Sequence, residues 1–396
     1  GRMTVAEMLT NIVWAKLSSL KNIKCSANWM WAPKLPGEGA NLYDVAVAMR
    51  DIMIELGIAI DGGKDSLSMA TKVTMPDGTT EVVKSPGQLV ISGYCTVPDI
   101  TKVVTPDIKK PGQSRLIFID LAEGKRRIGA SALAQVYGQV GNKCPDVENP
   151  QLLKNAFCAI QEMIGRDFIL SGHDISDGGL VTTLLEMAFS GNCGLLVRLE
   201  EEASVINQLF SEEAGLVIEY LPENEVSITG VLNEFGVPYR LIGSTCCAPD
   251  IIIHDIIRDE RVLEANIQDL RRDWEETSMQ IDMQTKYSKI NPACVEEEYS
   301  NVYDRPGPKY RLTFTPEPTP EKILNRFDKP KVAIIRAEGS NGDREMASAF
   351  YAAGFEPWDV VMADLLSGAV MLDQFRGIAF VGGFSYADVL DSAKGW

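Results

Sequence analysis

Residues 61–66, Asp-Gly-Gly-Lys-Asp-Ser, set a glycine pair beside a cation, an anion and a hydroxyl. Consecutive glycines let backbone N–H groups approach an anion with no Cβ in the way, and Lys64 and Ser66 add a charge and a donor. The spacing is not that of a Walker A loop, and strand-like sequence follows where that loop needs a helix. A Gly-Gly turn with solvated charges accounts for the same residues. A phosphate- or substrate-handling loop built from Gly62, Gly63, Lys64, Asp65 and Ser66 is therefore one of two readings.

The stretch SGHDISDGGL, 171–180, carries a second constellation. A hydrophobic strand delivers His173 and Asp174 to its C-terminal end, where open α/β sheets bind ligands. Asp177 is placed to cap the next helix, with Gly178 and Gly179 in its first turn. Asp174 is then free for a hard cation such as Mg2+, and Ser176 for a phosphate or sugar. The alternative is a capping turn whose acids only satisfy helix amides. Glu7 and Asn11 stand at i and i+4, so a helix brings both oxygens to one face, as two donors to one ion must lie. An ordinary solvated face accounts for that pair in isolation. Gly382 and Gly383 end a strand, either in a plain βα turn or with a backbone amide aimed at an oxyanion.

These residues need elements to position them. Apolar residues at 5, 8, 9, 12 and 13 predict a helix over 5–20, and 42–56 a second helix stopped by Gly57. Strands joined by turns follow to about 105, including a Pro-Asp-Gly turn at 76–78. The Pro/Gly/Lys-rich segment 105–114 reads as a boundary. Beyond it, buried-strand runs and amphipathic helices alternate to about 280, an α/β pattern. Residues 281–330 are Pro- and Glu-rich and aperiodic, which predicts an extended linker. At 331 the pattern restarts as strand, loop, helix, strand, the opening of a doubly wound domain. The expected division is 1–110, 111–280, 281–330 and 331–396. At roughly 150 residues per domain, a chain of 396 residues holds two or three.

Composition narrows the partners. The formal net charge of −17 repels phosphate backbones, so nucleic acid is not an expected partner. An anionic nucleotide needs metal ions or helix N-termini to offset that field. The eight cysteines are scattered with no CxxC, so neither a zinc knuckle nor a redox dithiol is indicated, and a reducing, cytoplasmic compartment is expected. Two histidines exclude a multi-His metal centre. No apolar run is long enough to cross a membrane, and GRMTVAEM lacks the apolar core of a signal peptide.

Taken in order, the blocks LTNI, KCSANWMW, PGEGANLYD, DGGKDSLSM, GASALAQVYGQVG, HDISDGGL, RRDWEETS and GGFSYADVL resemble the phosphoribosylformylglycinamidine synthase family in its large single-chain form. The resemblance implies an α/β and α+β multidomain chain. Residues 1 to about 280 would be the second half of the synthetase region, an aminoimidazole-ribonucleotide-synthetase-like mixed sheet domain plus an α/β domain. Residues 331–396 would begin a class I glutaminase domain. It implies an ATP-dependent ligase of purine biosynthesis that takes formylglycinamide ribonucleotide and glutamine. Carried over by position, Glu7, Asn11 and Asp174 match magnesium ligands and Ser176 a nucleotide contact, at an auxiliary site that holds ADP. Loop 61–66 matches a phosphate-handling loop, and Gly382 and Gly383 an oxyanion-side loop.

The same resemblance places a further Asp ligand and the synthetase catalytic His upstream of Gly1, and the glutaminase Cys beyond Trp396. The chain is thus expected to be cut at both ends, to hold no catalytic residue and to be inactive without the N-terminal synthetase half and the glutaminase remainder. A nucleotide-holding scaffold is the rival reading. Another member of the ATP-binding superfamily, such as a selenophosphate synthetase or a thiamine-phosphate kinase, is a third, against which the glutaminase-like start at 331 argues.

Overall fold

The computed structural model describes residues 1–285, 291–301, 311–315, 317–386 and 391–396. They divide into two compact units, Gly1–Arg305 and Pro306–Trp396.

The first unit opens with helix α1 (Arg2–Ile12), whose Val5, Ala6, Met8 and Leu9 are buried. The helix is shorter than the predicted 5–20. Past Ile12 the backbone is captured by another segment: Lys16 N donates to Lys102 O at 2.8 Å, and Val104 N to Trp14 O at 2.7 Å. Strand β1 (Lys24–Met30) is followed by helix α2 (Glu38–Leu56), which stops at Gly57 in the left-handed region, φ 76°. β2 (Ala59–Ser66), the hairpin of β3 (Ala70–Thr74) and β4 (Thr80–Lys84), and β5 (Gln88–Tyr94) follow. A three-stranded sheet runs β2-β1-β5, parallel on one side and antiparallel on the other. Segment 61–66 is therefore not a loop. Its residues are the last six of the eight in β2, held by backbone pairing from Ser26↔Gly62 to Met30↔Ser66.

The rest of the unit is built on a seven-stranded sheet. Its strands are β6 (Arg115–Asp120), β7 (Ser171–Asp174), β8 (Gly194–Leu199), β9 (Gly215–Tyr220), β10 (Tyr239–Cys246), β11 (Asp250–Asp255) and β12 (Glu260–Asn266), in the order β12-β11-β8-β10-β6-β9-β7. The α/β pattern at 111–280 leaves the strand directions open. Only β11 and β8 pair in parallel, and the other pairs are antiparallel. The apolar runs are nonetheless continuous, because both faces are covered, as in a buried parallel sheet. Ile117, Ile119, Leu216 and Ile218 join the core that includes α1 and the helix Pro150–Gly165. Leu116, Phe118 and Val217 pack on the other face with helix Gly179–Gly191. Of the run GASALAQVYGQVG, only Ala132–Val136 is helical.

The predicted linker holds a helix, Pro292–Ser300, with Val295 buried. Proline at its first turn and three consecutive glutamates give good helix formers where composition alone suggested extension. Residues 286–290, 302–310 and 316 of that segment, and 387–390 of GGFSYADVL, lie outside the described residues. In the second unit β14 (Glu356–Val361), β13 (Lys331–Arg336) and β15 (Gly377–Phe380) form a parallel sheet with β13 in the middle, the start expected of a doubly wound arrangement.

Candidate functional site

Helix α1 buries one side and turns Glu7 and Asn11 to the other, as the i, i+4 spacing requires. Both line a cleft of about 810 Å³, walled on one side by β5 and closed by Ser176, Asp177 and Glu212. Gly93 of β5 lies against this helix: a Cβ there would stand 2.3 Å from the flexible Met8 Sδ.

The predicted residues meet in two pairs. Ser176 Oγ donates to Glu7 Oε1 at 2.8 Å, and Asn11 Nδ2 to Asp174 Oδ2 at 3.3 Å. Partners separated by 169 and 163 positions in the chain thus meet. Asp174 is buried at the end of β7, and its carbonyl accepts from Thr183 Oγ1 at 2.8 Å. Its Oδ1 lies 3.1 Å from His173 Nδ1, and His173 Nε2 lies 2.8 Å from Glu186 Oε2. Burial acts to lower the His173 pKa, but its hydrogen bonds to Asp174 and Glu186 outweigh that and raise it to about 9.

The floor of the cleft is strongly acidic. Burial pushes the Glu7 carboxyl above its ordinary pKa. The Ser176 hydrogen bond pulls it down, and the charges of Asp174, Asp177 and Glu212 push it up again. No Lys or Arg stands among the described lining residues. Such a site repels a bare polyphosphate and attracts a divalent cation. Among the described residues no three His, Cys, Asp or Glu side chains form a ready metal cluster. The set here is two carboxylates and an amide. That is the short list of hard oxygen donors Mg2+ takes when water and phosphate oxygens supply the rest. These residues fit the ion.

Asp177 does not cap the helix after β7. The N-cap is Gly178, φ 84°, with no side-chain cap. Its N–H donates instead to Glu212 Oε1 at 2.8 Å, and the same oxygen accepts from Ala132 N at 2.8 Å. Glu212 therefore pins two loops at the rim. Sequence spacing carries no sign of this residue, because both bonds are long-range. Gly129, Ala130 and Cys144 also line the cleft and were not singled out by pattern. Gly129 has a structural reason: its Cβ would meet Lys143 O at 2.5 Å, so only glycine lets these loops close.

The other predicted residues lie elsewhere. Residues 61–66 form the edge strand β2 and are not among those lining the cleft. Gly63 has φ 155°, and a Cβ there would sit 2.0 Å from Ala27 O. Strand pairing with β1 therefore already demands this glycine, whereas Gly62 has open space around its Cβ position. Lys64 Nζ donates to Ser66 Oγ at 3.5 Å, and both face solvent. In the second unit Gly382 O accepts from Asn341 N at 2.7 Å, and Gly383 bridges Ser340 with φ 121°. A Cβ on Gly383 would meet Gly339 O at 2.4 Å, so these glycines knit two loops at the sheet end.

Three family descriptions match the chain: FGAR-AT PurM_N-like domain over residues 1–96, AIR synthase related protein, C-terminal domain over 115–255, and CobB/CobQ-like glutamine amidotransferase domain over 329–396. A probable phosphoribosylformylglycinamidine synthase of Arabidopsis thaliana, chloroplastic/mitochondrial by name, is 53% identical across 100% of this chain and 28% of its own length. The Homo sapiens phosphoribosylformylglycinamidine synthase is 49% identical across 100% of this chain and 29% of its own. The chain thus spans less than a third of the length of these relatives. Among solved structures, PurLQS from Thermotoga maritima aligns with a TM-score of 0.48 at 15% identity, over 68% of this chain and 41% of that one.

Proposed function

We propose, for a chain whose whole length matches a stretch of phosphoribosylformylglycinamidine synthases, that its cleft is the auxiliary magnesium–ADP site of such a ligase, distinct from the site of turnover. The reaction is the ATP-dependent conversion of formylglycinamide ribonucleotide and glutamine to formylglycinamidine ribonucleotide, ADP, phosphate and glutamate, in purine biosynthesis. An amide oxygen is a poor leaving group until it is phosphorylated, so such a reaction needs ATP and a cation to offset phosphate charge. The observation that carries the proposal is a pair of contacts, Glu7 with Ser176 and Asn11 with the buried Asp174, at a cleft whose floor is acidic. Glu7, Asn11 and Asp174 would hold Mg2+, which would neutralise the diphosphate. Ser176 would contact the nucleotide. Asn11 would turn its Oδ1 to the ion in place of the Nδ2 that now faces Asp174.

In this reading residues 1–110 and 111–280 are the two synthetase subdomains, 281–330 the linker and 331–396 glutaminase sequence. Residues Gly62–Ser66 handle a phosphate, of the substrate or of ATP, from an exposed edge strand, and Gly382 and Gly383 stand on the oxyanion side of the glutaminase. All eight cysteines are free, which supports a reducing, cytoplasmic setting. No helix among the described residues is long and apolar enough to cross a membrane.

Isothermal titration of the chain with ADP, with and without MgCl2, tests the assignment. Binding that requires Mg2+ and is lost in Asp174→Asn supports it. Binding indifferent to Mg2+, or no binding, overturns it. A second reading, a nucleotide-holding scaffold without turnover, is favoured by a site that offers carboxylates but no cationic side chain to a transferring phosphoryl group. Ammonia-dependent turnover by the chain alone would exclude that reading.

A further inference from the structure

We propose that His173 is a positioning residue for Asp174, which it ties to the helix Gly179–Gly191. The inference rests on the magnesium site proposed above. A carboxylate at the end of a strand rotates unless something fixes its second oxygen. Here Asp174 Oδ2 faces Asn11 Nδ2 at 3.3 Å, and Oδ1 is taken by His173 Nδ1 at 3.1 Å. The imidazole is itself held, because Nε2 meets Glu186 Oε2 at 2.8 Å. Glu186 belongs to the same helix as Thr183, whose hydroxyl donates to the Asp174 carbonyl at 2.8 Å. One helix therefore fixes Asp174 twice, once at its backbone and once through the ring. The ring side chain is 22% exposed and Asp174 7%, so water competes weakly for these bonds.

Outer partners of this kind orient a ligand carboxylate, and their loss typically costs about 10- to 100-fold in metal affinity. His173 touches neither nucleotide nor reacting atoms in this assignment. Its effect passes through the Asp174 carboxylate alone.

Two amide variants separate positioning from bulk. Asparagine places its Nδ2 close to where Nδ1 of histidine lies and restores the donor to Asp174. Glutamine places its Nε2 close to where Nε2 of the ring lies and restores only the contact to Glu186. The experiment titrates MgCl2 into the intact chain at fixed ADP, for wild type, H173A, H173N and H173Q, and records the melting temperature of each. H173A and H173Q are expected to raise the Mg2+ concentration for half-maximal ADP binding by about 10- to 100-fold. H173N is expected to stay much closer to wild type, while H173N and H173Q melt alike. Equal Mg2+ dependence in H173N and H173Q overturns the proposal while leaving the magnesium site standing. A wild-type protein that shows no Mg2+-dependent ADP binding overturns the site itself, and the positioning role with it. Should H173A fail to fold, the contrast between H173N and H173Q carries the test.

Discussion

Gly172, two residues before Asp174 on β7, is a tight structural support under the site. A Cβ at this position would stand 2.2, 2.6 and 2.8 Å from the Cζ3, Cη2 and Cε3 atoms of Trp14. Carbon atoms rest at roughly 3.5–4.0 Å. Gly172→Ala thus requires the indole or the strand to move by more than about 1 Å. The indole is rigid, and Trp14 packs against the main core. The strand is equally constrained, by pairing of Gly172 with Ile218 and by Gly172 N donating to Thr105 O at 3.2 Å. Overpacking of this sort costs about 1–3 kcal/mol. Gly93→Ala is the control. Its Cβ would stand 2.3 Å from Met8 Sδ, a comparable overlap, but the thioether end of methionine swings aside at little cost. Urea unfolding followed by far-ultraviolet circular dichroism is expected to show the Gly172 variant destabilised by about 1–3 kcal/mol. The Gly93 variant should stay within about 1 kcal/mol of wild type. Magnesium-dependent ADP binding should weaken in the Gly172 variant, because Asp174 moves with the strand. Equal stability of the two variants would refute the claim that rigidity of the neighbour, and not the size of the overlap, decides the cost.

Glu7→Gln should weaken Mg2+-dependent ADP binding by at least tenfold and stabilise the empty protein: burial and neighbouring carboxylates already disfavour the Glu7 charge, and Gln keeps an acceptor for Ser176; parallel titration and melting curves read the two opposite signs. Mg·ADP should protect Cys144, which is exposed at the cleft, from alkylation. Cys193 and Cys25, whose thiols burial pushes up to about 12 and about 11, should stay unreactive in the native state throughout, as mass spectrometry of the alkylated peptides would show. Burial disfavours the Asp120 carboxylate, but hydrogen bonding and charge from Arg126 outweigh it and hold its pKa below the ordinary value. A depressed acid stabilises above its unfolded pKa of about 3.9 and loses that contribution as pH falls through the folded value, so Asp120→Asn should flatten the acid limb of stability against pH. The same variant should cost less near neutrality than the about 3–5 kcal/mol of stranding a buried charge, since Arg126 keeps Glu201 at 2.7 Å.

Local sequence alone determined a good deal. The apolar spacing at 5, 8 and 9 identified the buried side of α1, because burial on a helix repeats with its turn. The i, i+4 rule placed Glu7 and Asn11 on one face for the same reason. Gly57 marked the end of α2, and the strand–helix rhythm after 331 marked a parallel sheet. Ordered blocks that match a family joined position 7 to position 174, which no local rule can do.

Tertiary structure decided the rest. Two-sided burial gives antiparallel and parallel strands the same continuous apolar run, so the pairing of the seven-stranded sheet was not legible. The glycines of 61–66 look made for a ligand, yet Gly63 answers to the carbonyl of Ala27 on a neighbouring strand, a contact set by register. Glu212 and the Asp174–His173–Glu186 chain are likewise invisible in pattern. A carboxylate's partners depend on which distant backbone amide or ring the fold brings within hydrogen-bond reach, and linear spacing records only neighbours on the same element.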